Sequence, residues 1–168
     1  MYSANIVAKE IIIYSNEQGF YINNFDLQIT LYFIQEYFLI ECKRCCFDEK
    51  IEFIGSILVV PSVYKNYIFF GAVNIPSRIF YIDSYATKYF VETNFIGHIE
   101  SKDKKLIHAV VDMCRLLDNE DWLWLRLYSK KWTSNCILNG EGLSYEDTVS
   151  RPKKNKTLHD YFKRSKLI

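Results

Sequence analysis

Apolar residues recur at helical steps through the first forty positions of the chain. Val7, Ile11 and Tyr14 lie three or four residues apart behind Ser3, a residue suited to capping, and they predict a helix over 4–17 ended by Gly19. The β-branched run Ile11-Ile12-Ile13 works slightly against it. A second helix is predicted over about 25–41, capped by Asn24, with Leu27, Leu31, Ile34 and Phe38 in one stripe. Its other faces carry Tyr32, Phe33, Tyr37 and Ile40. A helix apolar on nearly all sides belongs at the centre of a fold.

The period changes after Lys50. Ile51, Phe53 and the run Ile57-Leu58-Val59-Val60 predict short extended pieces broken by a turn at Gly55-Ser56. Pro61 suits the first turn of a further helix with Val63, Tyr67 and Phe70 on one side, ended by Gly71. Residues 78–83 read as a strand and 84–91 as a short helix. Ser101 is placed to cap a helix over about 102–118 that buries Leu106, Ile107, Val110, Met113 and Leu117. Another helix is expected over 120–132, with Trp122, Leu125 and Trp132 inward, then a loop at Gly140 and Gly142. Thr157 would cap a short terminal helix whose Leu158, Tyr161 and Phe162 dock on the body. No internal repeat occurs. The expected architecture is one mainly α domain (α+β) of about six or seven helices with a short hairpin or small sheet.

Composition supports that reading. Of 168 residues, 49% are hydrophobic and 17% aromatic, with only six glycines and three prolines, which favours long regular elements over disorder. The net charge of +1 is unevenly spread. Residues 1–150 hold 14 Lys/Arg against 19 Asp/Glu, a balance of −5, and residues 151–168 hold seven against one, a balance of +6. The most apolar run, Leu31 to Ile40, is interrupted by Gln35 and Glu36 and falls well short of the roughly 20 residues a membrane span needs. The start of the chain lacks the pattern of a signal peptide, so no membrane association is expected and the location is expected to be cytoplasmic. Five cysteines in such a setting are expected to be free thiols.

Candidate chemistry is sparse. Cys42, Cys45 and Cys46 contain one Cys-x-x-Cys step, which Cys114 and Cys136 could complete into a zinc site. Structural zinc usually pairs two such steps or a step with two histidines, so no metal site is assigned. Lys43 and Arg44 would lower the neighbouring thiol pKa values. His98, His108 and His159 are scattered singly, and no nucleophile elbow, dinucleotide fingerprint or phosphate loop occurs. Asp48, Glu49 and Glu52 form a small acidic group, read as a solvated turn or helix-cap carboxylates rather than an acid–base pair. The basic tail, Arg151, Lys153, Lys154, Lys156, Lys163, Arg164 and Lys166, is a candidate contact for nucleic acid or an acidic protein. Tyr161 and Phe162 could stack on bases, although their spacing equally suits a docking helix. No catalytic residue and no cofactor is expected. These residues point to a binding module rather than an enzyme.

One stretch is more specific. Leu27, Gln28, Leu31, Tyr32, Phe33 and Gln35 are followed by Phe47-Asp48-Glu49, then by Val59-Val60-Pro61 with Val63 and Tyr64. With the Val7-Ala8 pair in the first helix, this order and spacing resemble the Panacea domain over about 60 residues. That antitoxin family includes the SocA-like proteins and many phage-associated proteins. Its motif helix reads Leu-Gln-Lys-Leu-Leu-Tyr-Phe-Ala-Gln, followed by Phe-Asp-Glu, a segment with Trp and Gly-Pro, and Val-Val-Pro-x-Val-Tyr. This chain has Ile29 at the lysine, Ile54 at the Trp, and Ile57-Leu58 in place of Gly-Pro. The loss removes both a permissive backbone site and a fixed φ.

The resemblance implies a helical protein that binds a cognate toxin and neutralises it, in some members as an adaptor that delivers the toxin to a protease. The matched residues would serve the fold or the partner. A divergent phage or prophage protein that inhibits a host or defence protein is the alternative, and nucleic-acid contact through the tail is a second one. A homodimer is compatible with each. Tyr64, Tyr67, Tyr81, Tyr85 and Tyr89 could supply interface anchors, though for any single tyrosine core packing is the default.

Overall fold

The computed structural model describes residues 1–54, 57–77 and 97–116. Within them the chain is mainly helical: α1 (Ala4–Glu17), α2 (Asn24–Glu41), β1 (Glu52–Ile54), β2 (Ile57–Val59), α3 (Pro61–Tyr67) with a 3₁₀ turn (Ile68–Phe70), and α4 (Ser101–Arg115). No described helix is long and apolar enough to cross a membrane. The strand expected over 78–83, the helices expected over 84–91 and 120–132, the terminal helix and the basic tail lie outside the described residues.

α1 begins as its sequence predicts. Ser3 is extended and its Oγ accepts the Asn5 N–H at 3.3 Å. Gly19 follows the helix with φ +74°, a left-handed conformation that costs glycine no Cβ clash. Its inner face, Ala4, Val7, Ala8, Ile11 and Ile12, is buried, so packing outweighs the weak propensity of the isoleucine run.

α2 starts one residue earlier than expected. Asn23, not Asn24, is the cap: its backbone is extended and its side chain accepts the Asp26 N–H at 3.0 Å. Asn24 enters the first turn instead, where its buried amide donates to the Tyr64 carbonyl at 3.3 Å and its Oδ1 accepts Gln28 Nε2 at 3.0 Å. Along α2, Leu27, Leu31, Phe33, Ile34, Phe38 and Leu39 are essentially inaccessible, and Tyr32 and Tyr37 are buried too. α1, α3, α4 and β2 all pack against it.

β1 and β2 form an antiparallel two-stranded hairpin in the register Glu52↔Val59, Phe53↔Leu58 and Ile54↔Ile57, which leaves two residues between the strands. Pro61 occupies the first turn of α3, where its missing N–H has no partner to lose. Val63 and Tyr67 face the core, and Gly71 closes the 3₁₀ turn with φ +52°. Ser101 does not cap α4. Glu100 holds that place without a side-chain cap, and its N–H donates to the Tyr2 hydroxyl at 3.3 Å. Ile107, Val110, Val111, Met113 and Cys114 form the buried face of α4, Leu106 is half-buried, and Leu117 lies beyond the described residues.

The segment entering α4 passes very close to α1. A Cβ on Gly97 would lie 2.0 Å from Ile6 Cδ1 and 3.0 Å from Ile6 Cγ1. Gly97 is exposed and Ile6 half-buried, and the nearest atom is the free end of the Ile6 side chain. Gly97→Ala should therefore cost about 1 kcal/mol or less as Ile6 shifts to another rotamer. Urea denaturation of Gly97→Ala, Ile6→Ala and the double variant checks this. The double variant should be less destabilised than the sum of the singles, and strict additivity would refute the contact.

Candidate functional site

The residues on which the resemblance rests lie on and around α2, and the amides of Gln28 and Gln35 are buried. Gln28 is 1% exposed; its Oε1 accepts the Val60 N–H at 2.9 Å, and its Nε2 donates to Asn24. Two turns on, buried Gln35 accepts the N–H groups of Cys46 (2.9 Å) and Phe47 (3.2 Å) and returns Nε2 to the Phe47 carbonyl at 2.9 Å. Both glutamines thus serve backbone that has no strand or helix partner at those points. Buried main-chain groups must be paired somewhere, and an amide side chain offers a donor and an acceptor at once.

Phe47 is fully buried and Asp48 is exposed. Glu49 reaches the start of α1, where Oε1 accepts the Ser3 hydroxyl at 3.0 Å and Oε2 accepts the Ala4 N–H at 2.8 Å. This places a carboxylate on the unsatisfied amide end of a helix 45 residues away in sequence, a favourable charge–dipole arrangement. Pro61 and Tyr64 are half-buried, and Leu27, Tyr32 and Phe33 are core. Of the tyrosines considered as anchors, Tyr67 is core, its hydroxyl pushed by burial up to about 12, while Tyr81, Tyr85 and Tyr89 lie outside the described residues.

Two further clusters were not read from the sequence. The first joins the chain start, the loop after α2 and α4. Asp103 is 2% exposed and accepts both the Tyr2 hydroxyl at 2.7 Å and the Arg44 guanidinium at 2.5 Å. Arg44 also lies over the Phe38 ring, 5.0 Å from its centroid. Tyr2 N–H donates to the Cys46 carbonyl at 2.8 Å, and Tyr2 forms a parallel bridge with Phe47. Burial alone would raise the Asp103 pKa, but the Tyr2 hydroxyl and Arg44 together hold it below its ordinary value. Tyr2 is pushed up to about 12 by burial and by the Asp103 carboxylate. A signal did exist: Asp103 stands one turn before Ile107 on the apolar stripe of α4, where an acid needs a partner.

The second cluster crosses the seam between α1 and α4. His108 Nε2 is 2.6 Å from Glu10 Oε1, which also pairs with Lys104 Nζ at 2.9 Å. The His108 ring stacks on Tyr14 at 3.7 Å between centroids, and the Tyr14 hydroxyl donates to Asp112 at 2.8 Å. The contacts of this histidine are therefore a carboxylate and an aromatic face.

The thiols behave differently from expectation. Arg44 does not bring Cys42 or Cys46 down: burial raises both against its pull, and burial lifts Cys114 to about 12. Cys42, Cys45, Cys46 and Cys114 are free, and no group of three metal-ligating side chains occurs among the described residues. Cys136 and the candidate tail contacts from Arg151 to Lys166 lie outside them. No family model, curated protein or solved structure matches the chain.

Two outcomes follow from this geometry. Gln35→Leu, close in volume but unable to hydrogen-bond, strands two buried N–H groups and a carbonyl. It should cost about 2–4 kcal/mol in urea denaturation, against less than 1 kcal/mol for a surface substitution such as Lys50→Ala. For Asp103, the folded-state pKa is depressed, so its stabilising contribution is complete above the ordinary value of 3.8 and is lost as pH falls through the lower folded value. The stability gap between the wild type and Asp103→Asn should be constant from pH 8 to about 5 and shrink below pH 4. A gap that widens on acidification would overturn the assignment.

Proposed function

We propose that the chain is a Panacea-like antitoxin module, a protein-binding domain that neutralises a cognate toxin by direct contact, in an adaptor role handing it to a protease. The observation that carries this reading is the joint use of the motif residues. Gln28, Gln35, Phe47 and Glu49, matched to the family by order and spacing alone, all make contacts that hold α1, the loop after α2 and the start of α3 to one another and to α2. The proposal includes a domain of six or seven helices over residues 1–150, a basic tail over 151–168, and action in the cytoplasm without catalysis.

A second reading keeps the binding character and changes the target. Ile57-Leu58, where the family has Gly-Pro, lies in β2 and pairs in register with Ile54-Phe53 of β1. This departure from the family's Gly-Pro segment motivates the alternative of a divergent phage protein that binds a host or defence protein instead of a toxin.

Co-expression separates the two. The chain should restore growth to cells making the small protein encoded beside it, and the two purified proteins should form a complex in solution. Failure with every adjacent small gene would sink the antitoxin version. Specific retention of one host protein in a pull-down would then favour the second.

A further inference from the structure

We draw no further inference here: the strongest candidate, the surface patch of Ile68, Phe69 and Val73 exposed around Gly71 after α3, carries nothing because nothing in the structure shows what covers it.

Discussion

A helix enclosed on nearly every side has no water available to its polar side chains, and α2 is such a helix. Its glutamines must find partners in the protein or impose a desolvation cost. The partners they find are main-chain groups of the segments packed around α2: Val60 before α3, and Cys46 and Phe47 in the loop after α2. The arrangement answers two needs together. The N–H groups of Cys46, Phe47 and Val60 are paired by side chains, and the segments that carry them are fastened to the helix by the same bonds.

Once the 46–49 loop is held to α2, the rest of the described fold is positioned by it. Phe47 fills the core, Glu49 lands on the amide end of α1, and the Cys46 carbonyl receives Tyr2. Tyr2 and Arg44 then converge on Asp103 and draw in α4. Asp103 remains ionised in a buried position because a guanidinium and a hydroxyl replace its water. A lone carboxylate there would sooner take up a proton. These are long-range contacts, so they form only when the helices are already docked, and they select the native packing more than they drive collapse.

Local signals were legible in the sequence because they depend on neighbours a few residues away. The bounds of α1, the central place of α2, extended pieces on either side of 55–56 and Pro61 at the start of α3 all follow from period, caps and breaker residues, whereas the register of β1 on β2 was not read. The two misplaced caps have a tertiary cause. Asn24 has the chemistry of a cap, yet Tyr64 and Gln28 offer its amide better use inside the domain, and Asn23 takes the end of the helix. At α4, the Glu100 N–H is taken up by Tyr2, a residue almost a hundred positions away, which no local window contains. The thiols show the same limit: charge neighbours can be read from sequence, but burial outweighs them and cannot. Glu49 as a helix-cap carboxylate was among the readings open to the acidic group, whereas its target, α1, was not foreseeable.

This division bears on what a motif can say about a partner. Residues that repeat within a family at fixed spacing are most readily those that hold a shared frame, and here Gln28, Gln35 and Phe47 are all buried. A ligand meets none of their functional groups, since each amide is already engaged with backbone. If the chain neutralises a toxin, discrimination between toxins must reside in side chains off the motif, where α1, α3 and α4 face solvent and where sequence can vary without loosening α2. On the proposed reading, a frame held by Gln28 and Gln35 leaves those solvent faces free to vary with the partner, whereas Leu58, buried in the core, is held to the demands of the fold.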